Sequence, residues 1–362
     1  MIDTSKSWKR SLEIEQITAM IDQELKTCNV SRKIPETHLI WRRKICEWSY
    51  NVVDHFHLDR EVVSLSLNYL DQYISIQRNE IEKKAKGMSS RRIDRVLSDK
   101  IDGRTFQLAA TTSLYIAIKV HGEHIDRQVL DSTQKLSIAS FVDLSRGQFS
   151  AEDIASMELQ LLETLKWRVN PPTPVKFAAY LLRLLPTQLH RKDRREHNHE
   201  HRDQDLKLSF TIDERVVHVL YELSRYLTEV SVYVHALSAS YKPSVVAYAT
   251  VLISINLIDT VALPRENREL FLARVKRLTL LDPNSPVVRE VISQVHEICP
   301  DITDCDNHLS SSVSKDHPIT IAREAGFLAS TSSMKKSKIR EDRSAHSPCS
   351  VTGNGIRTSQ NN

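Results

Sequence analysis

The chain has 362 residues, 40% of them hydrophobic, enough for two ordinary domains with sizeable cores. Seven glycines argue against a turn-rich all-β architecture, and 50 basic against 46 acidic side chains (net +4) leave a nearly balanced surface that does not select nucleic acid as a partner. Five scattered cysteines without a CxxC pair suggest neither a zinc ribbon nor a disulfide framework and imply a reducing compartment.

The N-terminus carries no apolar core and does not read as a secretory signal. Residues 1–37 form a polar segment with one amphipathic stretch. Leu12, Ile14, Ile17, Ile21 and Leu25 fall at helical spacing and predict a short helix that packs on the next domain. Residues 38–170 then hold five helical patterns. The first runs from His38 to His57 with Ile45, Trp48, Val52 and Phe56 on one stripe, and the second follows Asp59 as N-cap. The third, Thr105 to Lys119, has small residues on several faces, as expected of a helix surrounded by others. The fourth covers 127–143. The fifth starts at Ser150 with Asp153 as a capping-box partner, and the run Asn170-Pro171-Pro172-Thr173-Pro174 stops it.

Residues 171–304 repeat the theme, with helical patterns at 174–186, 212–234, 243–259, 264–278 and 286–298. The stretch Pro243 to Leu263 is apolar enough to suggest a membrane span. Ser244, Thr250, Ser254, Asn256 and Asp259 interrupt it, so it reads as a buried core helix. Residues 77–104, with nine Lys/Arg against five Asp/Glu, and 190–205, almost wholly charged or His, read as exposed loops. The tail 305–362 is rich in Ser, Thr and Asn and reads as disordered. The fold expected is all-α: two consecutive five-helix repeats, each with an all-round apolar helix third, preceded by a short N-terminal helix and followed by a disordered tail.

No phosphate-cradling glycine loop, GxSxG or HExxH occurs. The run His197-Asn198-His199-Glu200-His201 offers metal-ligand types, but on a charged loop with nothing to fix their geometry. No cofactor, metal or catalytic residue is therefore expected. Lys83, Lys84, Lys86, Arg91 and Arg92 make a basic cluster compatible with phosphate binding or nuclear import, or with a plain solvated loop. Arg42 and Asp71 lie in apolar-rich helices and should be paired if buried.

The run Trp41-Arg42-Arg43-Lys44-Ile45-Cys46-Glu47-Trp48, followed by Asn68-Tyr69-Leu70-Asp71-Gln72-Tyr73, resembles the cyclin box. The family's constant Arg, Asp, Leu, Lys and Glu have counterparts in Arg42, Asp71, Leu108, Lys119 and Glu158. Leu165-Lys166-Trp167-Arg168-Val169-Asn170-Pro171-Pro172 is similar to the family's link into its second repeat. Tyr241-Lys242-Pro243-Ser244-Val245 is similar to the entry into that repeat's third helix. The resemblance covers residues 38–300, and in wording the chain looks most like diatom-type cyclins.

The resemblance implies a non-enzymatic regulatory subunit that binds and activates a cyclin-dependent protein kinase and controls cell-cycle progression. It assigns Lys119 and Glu158 to kinase contact, and Arg42, Asp71 and Leu108 to the structure of the box. Trp41, Trp48, Phe106 and Gln107 fall at a groove that the family uses to dock substrates. Here the groove is modified, because Trp41 and Lys44 replace the usual Met and Ile. Val120-His121-Gly122 also replaces the Phe-Glu-Glu that often follows the constant Lys. A nuclear and cytoplasmic location is expected, without membrane or nucleic-acid partners. The N-terminal segment has no RxxL destruction box, and the RxxL strings at Arg127 and Arg277 fall in predicted helices, which leans away from a mitotic cyclin. In the tail, Lys335-Lys336-Ser337-Lys338-Ile339-Arg340 is a candidate import signal and Ser347-Pro348 a candidate phosphosite. The rival reading is a general transcription factor of the TFIIB class, which shares the fold and binds nucleic acid. It would want an N-terminal zinc ribbon and a strongly basic repeat, and neither occurs.

Overall fold

The computed structural model describes residues 4–27, 33–85, 87–122, 136–190, 209–299 and 318–328. Fourteen helices and one two-stranded sheet occur among them. Helix α1 spans Thr4–Thr27. The first repeat follows as α2 (Glu36–His55), α3 (Glu61–Lys84), α4 (Ser90–Lys100), α5 (Gly103–His121), α6 (Ile138–Leu144) and α7 (Ala151–Thr164). The second comprises α8 (Pro174–Arg183), α9 (Glu214–Tyr233), α10 (His235–Ser240), α11 (Pro243–Leu257), α12 (Arg265–Thr279) and α13 (Pro286–Ile298), and α14 (Pro318–Glu324) closes the described chain.

Local chemistry accounts for several of these boundaries. Asp102 accepts a hydrogen bond from the Thr105 backbone N–H (2.8 Å) and caps α5. Ser150 and Asp153 form the expected reciprocal capping box at 3.0 and 3.1 Å. Asp59 accepts from the Glu61 N–H (2.8 Å), so it serves the start of α3 from one residue before the cap position. Thr173 caps α8, and Pro174 occupies the first helical position, where a missing N–H costs nothing.

Two hydrophobic cores result. One gathers side chains of α2 to α7 around α5. The other gathers α8 to α13 around α11, with Ile17 of α1 and Ile319 and Ala322 of α14. In α5 every residue from Ala109 to Ile118 is buried, and in α11 every residue from Val246 to Ile255 is. Each central helix is thus covered on all faces by its neighbours, as its apolar and small residues on every face allow. No helix among the described residues is long and apolar enough to cross a membrane.

Of the fourth helical pattern expected in the first repeat, 127–135 lies outside the described residues and the helix seen is α6, and beyond that the structure departs from the sequence-based expectations in four places. Residues 77–104 are helical rather than looped. Helix α3 runs on to Lys84, and α4 buries Ile93 and Leu97, with Ile101 beyond its end, against the first repeat. Two buried apolar positions four apart decide this, and the high charge of the segment masks them. Helix α1 is 24 residues long and packs on the second repeat. Its Glu24 carboxylate, 2% exposed, accepts from the backbone N–H and hydroxyl of Ser244, both at 2.7 Å, at the N-terminus of α11. Burial pushes the Glu24 carboxyl above its ordinary range, against the Ser244 bonds and the nearby Lys242.

Third, the insertion at 190–205 springs from a short antiparallel clip, Gln188–His190 against Ser209–Thr211. The charged run within it, including His197–His201, lies outside the described residues. Fourth, within the tail, residues 318–328 form α14 and a bridge from Leu328 to Ile258, because Ile319 and Ala322 complete the second core. The rest of the tail, with the basic run and Ser347, lies outside the described residues.

Candidate functional site

Helix α5 ends in the solvent-facing turn that carries Lys119, where a cation complements the carbonyl end of the helix. Helix α7 crosses beside it, and its third turn presents Glu158. The Lys119 ammonium donates to Glu158 Oε1 at 2.9 Å. It also stands 5.4 Å from the centre of the Tyr115 ring, which in turn packs edge-on to Phe141. Glu158 is 15% exposed and Lys119 54%, so the carboxylate acts as a fixed post and the ammonium as the outward group. The Glu158 hydrogen bond holds the Lys119 ammonium above its usual range, so it stays charged. An ammonium carries three N–H donors, and the bond to Glu158 uses one. Val120 and Leu159, the sequence neighbours of the pair, are both exposed. The arrangement offers a held cation with spare donors beside exposed apolar side chains, suited to backbone carbonyls of a partner.

Arg42 and Asp71 do different work. Both are buried, at 1% exposure each. Nε and Nη2 of Arg42 donate to the two Asp71 carboxylate oxygens at 2.8 and 2.9 Å, a bidentate pair joining α2 to α3. Nη1 donates to the Val232 carbonyl (3.0 Å) and Nη2 to the Ser238 hydroxyl (3.1 Å), so one guanidinium also binds the second repeat. Leu108 is half-buried against the first core.

The residues that the resemblance assigns to a docking groove sit on α2 and α5. Trp41, Ile45 and Trp48 share one face of α2 at spacings of four and three. Trp41 meets Phe106 edge-on (5.4 Å between centroids), and His38 stacks on the same ring. Phe106 is buried beneath them, and Trp41, Trp48 and Gln107 are half-buried. The His38 Nε2 lies 2.9 Å from the Ile101 carbonyl, and burial lowers the His38 pKa.

Sequence reading missed a second polar bridge between the repeats. Arg60, in the turn before α3, grips Asp54 through two bonds (2.9 and 3.1 Å) and reaches Glu229 of α9 at 2.6 Å. Arg225 binds the other Glu229 oxygen at 3.2 Å, and the Tyr50 hydroxyl donates to the Glu229 carbonyl at 3.3 Å. Burial raises the Glu229 carboxyl despite the two guanidinium groups. A separation of 169 residues between Arg60 and Glu229 leaves no local pattern by which to find the pair.

Among the described residues no group of three or more His, Cys, Asp and Glu is placed to hold a metal. A small cavity between the repeats is bordered by Arg42, Asn68, Asp71, Thr173 and Tyr241 and has a volume of about 30 Å³.

Residues 15–170 match the family described as "Cyclin, N-terminal domain". The chain is 27% identical over 161 residues to a G1/S-specific cyclin-E of Caenorhabditis briggsae, covering 44% of this chain and 25% of that one. It is 26% identical over 180 residues to Cyclin-D3-2 of Arabidopsis thaliana, covering 49% and 41%. The match thus spans well under half the length of these relatives. Among solved structures, a viral cyclin from herpesvirus saimiri is similar at 17% identity and a TM-score of 0.48, covering 78% of this chain and 97% of the viral one. Residues 15–170 thus match a cyclin N-terminal domain, and cyclins stand among the relatives of that part of the chain.

Proposed function

We propose that this protein is a non-enzymatic subunit that binds a cyclin-dependent protein kinase and activates it, and so regulates progression through the cell cycle. The observation that carries the reading is the Lys119–Glu158 pair, which presents a positioned ammonium beside exposed Val120 and Leu159. The kinase's mobile regulatory helix is the partner element. Its carbonyl end collects negative partial charge, which the spare Lys119 donors meet. Docking that helix in its active position completes the internal Lys–Glu ion pair of the kinase and shifts the population toward the active state.

The same reading divides the chain into an N-terminal segment (1–37), a kinase-binding repeat (38–170), a supporting repeat (171–304) and a tail (305–362) with an address role. It places the protein in nucleus and cytoplasm. Trp41, Trp48, Phe106 and Gln107 mark a modified groove for kinase substrates.

The test is co-purification of the full chain with a cyclin-dependent kinase, using Lys119→Ala combined with Glu158→Ala. Kinase association falls by about 100-fold if the two residues together supply roughly 3 kcal/mol of binding. The circular-dichroism melt stays close to wild type, because Lys119 is exposed and the pair contributes little to the fold. A folded double variant that binds as wild type does would refute the assignment.

A further inference from the structure

The helical hairpin of α3 and α4 carries a cationic tip that the kinase reading does not use. Lys83 and Lys84 stand in the last turn of α3, and Arg91, Arg92 and Arg95 on the first two turns of α4. All five are exposed. The hairpin owes its shape to Arg78, which is 4% exposed. Arg78 binds Asp94 (3.1 Å), Glu82 (3.2 Å) and the Ser90 hydroxyl (3.0 Å), pinning α4 against α3.

That one buried guanidinium takes up both carboxylates of the hairpin nearest the turn. Among the described residues no acidic side chain lies within ion-pair distance of the five outer cations. Glu80 and Asp99 are also exposed, but each sits about a turn further from the tip along its helix. Helix α4 has no acidic residue in its first turn, and Arg91 and Arg92 stand there instead. Cations at that end oppose the helix dipole and add to its positive field. The α3 lysines suit the carbonyl end of that helix, so the cations that helix stability does not account for are the arginines opening α4.

We propose that the α3–α4 tip is a docking surface for an acidic peptide segment of a protein partner. The charges follow a helical edge at positions 91, 92 and 95, with the two lysines across the turn. They form a row of single charges suited to successive carboxylates, and the three arginines can engage carboxylates bidentately. They do not converge on a pocket that would seat one dianion. Five cations on a single tip make a short track for a nucleic-acid backbone, and no stacking aromatic stands among them. Val96, 39% exposed, is the one exposed large apolar side chain of α4, too little to enter a membrane.

The test uses the full chain and a fluorescein-labelled oligoglutamate peptide, read by fluorescence anisotropy. A single-stranded oligonucleotide of equal charge and phosphatidylserine vesicles serve as competing probes. The peptide binds the wild type, and binding weakens by about tenfold as salt rises to ~0.15 M. Changing Lys83, Lys84, Arg91, Arg92 and Arg95 each to Gln lowers peptide affinity by about tenfold or more and leaves the thermal melt and kinase co-purification unchanged. A Lys83→Gln, Lys84→Gln variant, which leaves α4 untouched, gives an intermediate loss. Equal peptide binding by wild type and the five-site variant, no peptide binding at all, or tighter binding to the oligonucleotide or the vesicles overturns the proposal.

Discussion

Arg42 illustrates how much one side chain carries. Its guanidinium satisfies both Asp71 oxygens and two acceptors of the second repeat while almost fully buried. Arg42→Ala leaves Asp71 as an unpaired buried carboxylate, and loss of one partner of such a pair costs roughly 3–5 kcal/mol. Urea unfolding of the variant is expected to show that loss. Arg42→Lys recovers little of it, because an ammonium cannot reproduce the planar fork. If Arg42→Ala unfolds like the wild type and only kinase binding is lost, the residue belongs to the interface instead. Lys119 is the opposite case. Its exposure makes its ion pair worth little to the fold and leaves it free for a partner.

At the scale of elements, helix ends show where the chain bears strain. Helix α12 ends at Leu280 in the left-handed region (φ 61°), and the Leu280 side chain is 88% exposed. A branched apolar residue there gains no burial and bears the steric cost of that conformation, which glycine avoids. Leu280→Gly is expected to stabilise the protein by about 1 kcal/mol, after allowing for the greater freedom of glycine in the unfolded chain. Equilibrium denaturation measures it, and an unchanged or lower midpoint contradicts the strain argument. Helix α4 shows how a charged segment still folds. Ile93 and Leu97 supply the apolar stripe, and Arg78 supplies the anchor.

For the whole molecule, the two repeats are held together by polar bridges through Arg42 and Arg60, and α1 and α14 both lean on the second core. Truncation after residue 304 removes Ile319 and Ala322 from that core, with an expected loss of roughly 2–4 kcal/mol. Hydrogen exchange should quicken in α9, against which α14 packs, and stay slow in α5. Kinase association through Lys119 persists. A fluorescent fusion of the truncated chain loses nuclear enrichment, because the basic run 335–340 is gone. Unaltered nuclear enrichment removes the address role of the tail, and lost kinase binding shows that the tail belongs to the partner-binding unit.

The sequence by itself determined nine of the ten helices expected in the two repeats and, through the family motif, the partnership of Arg42 with Asp71. Helix periodicity, capping residues and the Pro171-Pro172-Thr173-Pro174 stop are local signals, readable within a few residues of where they act. The family motifs singled out Lys119 and Glu158, but their 2.9 Å bond depends on α5 and α7 crossing at one register. Only the tertiary structure decided that α1 serves the second repeat through Glu24 and that Arg60 meets Glu229. It also decided that Arg42 reaches Val232, 190 residues away, and that Arg78 strips the α3–α4 tip of its acids. Each of these joins groups from separate elements, and their meeting follows from how whole helices pack, which no spacing along the chain records.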